Sequence, residues 1–324
     1  KDEGNIVVTP AVWNENILYG NLLGDFKSLN PAEDKVNWIF KTGQSIYSSP
    51  EISGNYVIFG SADSTVYNLD AATGKLNWKF KTKAPVLASP VIHEGKVFVG
   101  SSEPALRAFD LQTGKELWEI SNLEGFPAGK PAVSNGKIVF GTWGKTLYSV
   151  DAVTGELIWK WKNDDYSHYY SPAMVTPVIQ KGKVYIVAPD EILREFNLET
   201  GEQTYKTDQF RVRESLGGSV EKNILVAKTM QDSVVGWSTK NDQPEIVFTV
   251  NAGFGNDFSA SMPAVNGETV YFGTTFGRVY ALDLIKEKVN WAFQLGKDMI
   301  NTVVPLSEKR VLAAGVDGTI AILK

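Results

Sequence analysis

Leu69-Asp70-Ala71-Ala72-Thr73-Gly74-Lys75-Leu76-Asn77-Trp78 reads as the end of one β-strand, a tight turn and the beginning of the next strand. Glycine supplies the positive φ that such a turn needs, and an aspartate just before it can hydrogen-bond the turn backbone. The same turn returns at Thr113-Gly114-Lys115, Thr154-Gly155-Glu156 and Thr200-Gly201-Glu202. Its aspartate recurs at Asp110, Asp151 and Asp283, and its tryptophan at Trp38, Trp118, Trp159 and Trp291. Tyr205 and Phe248 stand in for the indole in two looser copies.

Working back from each turn, a β-branched or aromatic run precedes it, as in Thr65-Val66-Tyr67-Asn68-Leu69-Asp70. Before that comes a second run, in most copies ending in glycine: Val57-Ile58-Phe59-Gly60, Val97-Phe98-Val99-Gly100, Ile138-Val139-Phe140-Gly141 and Val270-Tyr271-Phe272-Gly273. Composition and length make these strands. Each copy begins near a proline-marked start, at 10, 50, 90, 131, 177, 263 and 305, with Gly218-Ser219-Val220 at the proline-less start near 219. Four strands in a period of about 40 residues, with no helical periodicity, specify a β-propeller blade. The expectation is an all-β chain, one propeller domain over 1–324 with eight four-stranded blades, seven being the alternative. Copy eight shows three strands, so the segment around Ile6-Val7-Val8 is expected to supply its outer strand and remove an open sheet edge. The tryptophans Trp38, Trp78, Trp118, Trp159 and Trp291 are expected to dock between blades, where each buries on the order of 150–250 Å².

The turn-and-tryptophan stretch from Leu69 to Trp78 resembles the docking motif of the pyrroloquinoline-quinone-like (PQQ-like) propeller repeat family, and the resemblance runs over the whole chain. Copies two, three and four match closely, copy seven well, and copies one, five and six more loosely. The resemblance raises the prospect of a quinone-dependent dehydrogenase. Those enzymes are longer, grip the quinone with a vicinal Cys-Cys disulfide and hold calcium with Glu, Asn and Asp side chains. This chain has no cysteine, so the reading leans away from an enzyme and no cofactor is expected. The resemblance instead favours the non-catalytic members, such as the propeller lipoprotein of the outer-membrane β-barrel assembly machine. It implies an extracytoplasmic location, periplasmic or cell-surface, with any lipid anchor carried upstream of Lys1.

Composition narrows the chemistry further. A net charge of −5 and a pI near 5.3 offer no basic field for phosphate backbones, which argues against nucleic acid. No apolar run is long enough for a transmembrane helix. Two histidines, His93 and His168, cannot build a multi-histidine metal centre, and His93 sits in an ordinary repeat turn. Asp164-Asp165 and Asp232-Ser233 lack the dense spacing of a calcium loop. No catalytic or metal-ligating set is expected. The chain opens on a polar stretch without an initiator Met or signal peptide, as a mature or trimmed form would.

Departures from the repeat carry the functional signal, because loop positions are released from blade building. The loop leading into a blade's first strand and the loop between its second and third strands lie at the same end of the sheet. Those loops hold Tyr47, Phe126, Trp143, His168, Tyr169, Tyr170, Arg211, Arg213, Phe254, Phe258 and Phe276. An aromatic rim with arginines fits hot spots for a protein or extended peptide, and aromatic faces also stack on sugars. For Phe126 and Phe258, plugging the central channel of the propeller is an equally good reading. A protein-binding scaffold is therefore the leading expectation. A carbohydrate-binding or lyase-type propeller is the second, and the propeller domain of a larger exported enzyme or sensor the third. The irregular region of blades five and six, marked by Gly217-Gly218 and Trp237, offers a second partner surface or simple drift of the repeat.

Overall fold

A computed structural model describes residues 1–164, 171–258, 261–307 and 309–324. The chain is an all-β, eight-bladed propeller: seven antiparallel sheets of four strands and one of three, each strand paired with its neighbour in sequence. The repeat predicts one domain over 1–324; the packing divides into two compact units. Blades one to four lie in Gly4–Pro177, and blades five to eight in Val178–Lys324 together with Lys1–Glu3.

Blade two shows how the sequence builds the unit. Its strands are Glu51–Ser53, Tyr56–Ser61, Thr65–Asp70 and Leu76–Lys81. The two middle strands are almost wholly buried on both faces, which explains their unbroken apolar runs, while the fourth alternates between exposed and covered positions. At the turn, Asp70 accepts from the Thr73 N–H (2.8 Å) and the Thr73 hydroxyl (2.7 Å), as the recurring aspartate predicts. Asp110 and Asp151 repeat the arrangement, and Asn197 does the same in blade five through the Glu199 and Thr200 N–H groups.

Two glycine positions exist for close approach. Gly114 adopts φ +70°, and a Cβ there would stand 2.6 Å from Cδ2 of Trp78, so the indole of blade two lies flat on the turn of blade three. Trp38 on Gly74 and Trp118 on Gly155 repeat the dock. The indole N–H of Trp78 donates to the Leu111 carbonyl (2.8 Å), and that of Trp118 to the Ala152 carbonyl (3.4 Å). Trp159 is buried, and Trp291 packs 6.1 Å from Tyr271 in its own blade. Gly60, at the end of the second strand, leaves room for Val86 of the next lead-in segment, as Gly20 does for Ile46.

Blade eight comprises Ile300–Ser307, Arg310–Gly315 and Ile320–Leu323. The outer strand expected from Ile6-Val7-Val8 is not formed: these residues are in no strand, although Ile6 and Val8 are fully buried. The reason is register. Ile6 precedes Pro10 by the same interval as Ile46 precedes Pro50 and Val86 precedes Pro90, so it belongs to a lead-in segment. In the same series the Thr9 N–H donates to Ser49 Oγ and the Ser49 N–H to Ser89 Oγ, each at 2.9 Å. The first residues pair instead with the last turn of blade eight, through the Asp2 N–H to the Gly318 carbonyl (2.8 Å) and Lys1 to Asp317 (2.9 Å).

Candidate functional site

In the unit of blades one to four, the lead-in and second-to-third-strand loops expose several large apolar side chains. Trp143 (37% exposed) and Tyr47 (45% exposed) reach solvent. Phe126, half-buried, lies 6.2 Å from Trp143, and its carbonyl accepts from the Trp143 N–H (3.1 Å). A side chain at Gly125 or Gly144 would collide with the facing backbone, so two glycines hold these loops together and fix the aromatic pair. Behind it Glu124 receives Lys160 and Lys162, which anchors the loop to the fourth strand of blade four, Leu157–Lys162. Leu23 and Met174 extend the exposed apolar surface. Sequence reasoning passed over both because it searched for aromatics and charges.

In the unit of blades five to eight, Phe258 (64%) and Phe276 (61%) are exposed on the corresponding loops, joined by Met262. Arg211 pairs with Glu191 (3.0 Å) and Arg213 approaches Glu214 (3.5 Å). Burial pushes the Glu214 carboxyl above its usual range, with Arg213 opposing the shift. Phe254 is placed differently from the rim position expected for it. It is buried, edge-on to Phe272 (5.7 Å) and Tyr280 (6.1 Å), because the fourth strand of blade six runs on through Glu245–Asn256 and carries the ring into the core. His168, Tyr169 and Tyr170 lie outside the described residues, as does Asp165.

Several buried charges escaped the sequence reading. Arg194 makes a two-pronged pair with Asp190 (2.9 and 2.6 Å), and Arg107 reaches Glu103 at 2.7 Å from the equivalent place in blade three. In both the acid stands four positions before the arginine, a spacing that aligned copies display. Lys228 and Asp257 form a fully buried pair at 3.0 Å; Lys228 also donates to the Gly273 carbonyl. Lys130 meets Glu51 at 2.6 Å, tying the lead-in of blade four to the first strand of blade two. Each of these groups is paired within the framework, the Lys130–Glu51 pair partly exposed and the others largely buried. Among the described residues no group of three or more His, Cys, Asp or Glu side chains could hold a metal ion. With no cysteine in the chain, the residues do not fit the quinone grip of the enzymatic propellers. No helix is long and apolar enough to cross a membrane among the described residues.

Residues 23–127 and 102–243 match a family model described as outer membrane protein assembly factor BamB. The chain belongs to the BamB family of PQQ-like propellers. A BamB-family structure from Moraxella catarrhalis superposes with a TM-score of 0.80 at 16% identity, covering 98% of this chain and 96% of that one. The computationally designed Ika8 protein gives 0.84 at 16% identity, over 99% and 96% of the two chains. A europium-containing methanol dehydrogenase gives 0.72 at 13% identity, over 94% and 81%. At these identities the three structures share the fold, which the BamB family therefore has in common with a designed protein and an enzyme alike. A comparison with curated proteins returns no match.

Proposed function

We propose that this chain is a non-enzymatic, extracytoplasmic scaffold that binds other polypeptides through its lead-in and second-to-third-strand loops. The observation that carries the reading is the exposure of large apolar side chains on those loops in both units: Tyr47, Trp143, Leu23 and Met174 in one, Phe258, Met262 and Phe276 in the other. Large side chains held in the open by a rigid framework are what protein-binding hot spots require, and the nearby Arg211 and Arg213 add the residue type most enriched there. Membership of a family named for outer membrane protein assembly supports the same class of partner and an envelope location.

Photocrosslinking tests it. A photoreactive residue placed at Tyr47, Trp143, Phe258 or Phe276 is expected to capture protein from bacterial envelope extract, while the same residue at Glu94 or Glu202, exposed at the opposite ends of their blades, is expected to capture none. Equal capture at both sets, or none at either, overturns the scaffold reading. An acidic oligosaccharide that raises the melting temperature, and does so less in Trp143→Ala, would move the assignment to a carbohydrate-binding propeller.

A further inference from the structure

The dock between blades six and seven departs from those in which Trp38, Trp78 and Trp118 lie on the glycine of the next blade's turn. Phe248 replaces the tryptophan, and Ile285-Lys286-Glu287 replaces the small Thr-Gly turn on which an indole would lie. The Phe248 ring turns inward over Gly236 of its own blade, where any side chain would strike it, and joins the core with Val234, Phe272 and Tyr280. The space that an indole fills elsewhere is left as a groove of about 430 Å³, floored by Val247, Phe248, Leu284 and Ile285. That volume is within the ~300–1,000 Å³ range of sites for small groups. Ile285 is 69% exposed and Val247 47% exposed, so the apolar floor faces water.

Two further observations say what the groove would take. Leu284 follows Asp283 as Leu111 follows Asp110. The Leu111 carbonyl accepts from both the Trp78 indole (2.8 Å) and the Asn68 amide (2.8 Å). The Leu284 carbonyl accepts from no side chain among the described residues, because Phe248 and Gly236 stand where those donors would be. At the mouth are Lys222 and Lys240, neither with an ion-pair partner among the described residues, against the single carboxylate of Glu221. A flat apolar ring with one N–H donor, carried on a segment bearing negative charge, matches floor, acceptor and mouth together.

We propose that this groove is an open tryptophan dock, which receives an indole side chain presented by an acidic extended segment of another polypeptide. It is separate from the loop surface described above. The test uses the intact chain and a peptide, acetyl-Asp-Glu-Trp-Asp-Gly-amide, carrying 5-fluorotryptophan and followed by fluorine NMR. Saturable broadening of the fluorine signal is expected. Phe248→Trp, which fills the dock from within, and Ile285→Asp, at an exposed position, should each weaken binding at least tenfold, with melting temperatures confirming that both fold. Trp143→Ala should leave it unchanged, so failure here is distinguishable from failure of the loop surface. A competitor with Ala in place of Trp should not displace the peptide, and one with Lys for its acidic residues should displace it poorly. No binding at millimolar peptide, binding that survives both groove variants, or equal competition by the Ala peptide would overturn the proposal.

Discussion

Lys228 occupies the place in blade six that Gly60 and Gly273 occupy in blades two and seven. There the missing side chain admits the next lead-in segment; here a lysine enters that space and its ammonium is held by Asp257 and the Gly273 carbonyl. Burial pushes the Lys228 ammonium below its usual range, and Asp257 opposes the shift. Asp257 is itself secured by the Thr275 N–H and hydroxyl. Removing one partner leaves an uncompensated charge in the core, at a cost of about 3–5 kcal/mol, whereas replacing both with apolar groups is often close to neutral. Asp257→Ala is therefore expected to lower stability by about that amount in urea denaturation, and Lys228→Met added to it to recover most of the loss. If the double variant is as unstable as the single, the pair is not the source of the effect. The pair was illegible in the sequence because its partners are 29 positions apart and Lys228 gains meaning only when its copy is aligned with glycine.

At the scale of the element, the turn and the dock divide the work between charge and shape. Hydrogen bonds from Thr113, first from its hydroxyl, hold Asp110 below the usual carboxylate value of 3.8. The Thr154 N–H chiefly does the same for Asp151, and the Lys286 N–H for Asp283. A depressed pKa contributes stability that is present above the unfolded value and lost as pH falls through the folded one. These turns should therefore weaken below about pH 4. The variant Asp110→Asn, Asp151→Asn, Asp283→Asn, which copies the natural Asn197 of blade five, is expected to lose less stability than the parent between pH 4 and pH 2 in acid titrations followed by circular dichroism. Identical acid profiles would mean that other carboxylates govern acid unfolding. The dock answers to shape. Trp78→Ala empties a buried indole site and should cost about 3–5 kcal/mol. Gly114→Ala should destabilise too, since its Cβ meets the indole at 2.6 Å in a positive-φ turn. Thermal melts measure both, and partner capture at the loops should survive wherever the fold does.

For the whole molecule, what could be read in advance was what the period repeats. Blade number, strand order, turn aspartates and tryptophan docks each recur, so every copy corroborates the others. The loop surface was legible only as a list of aromatics. Exposure depends on how far a neighbouring strand extends: Phe254 and Phe258 stand four residues apart, yet the continued strand buries the first and leaves the second open. Leu23 and Met174 show the converse, ordinary apolar residues made conspicuous by their place in the fold. A propeller shared with an enzyme also raises the question of whether this chain retains its ligand chemistry, and the donor set speaks to that directly. It contains no cysteine for a quinone grip and, among the described residues, no cluster of three metal-ligating side chains. Pyrroloquinoline quinone with calcium should therefore leave the melting temperature within about 1 °C of the ligand-free chain, because only a ligand that prefers the folded state raises it. A concentration-dependent rise of several degrees would return the quinone enzymes to consideration.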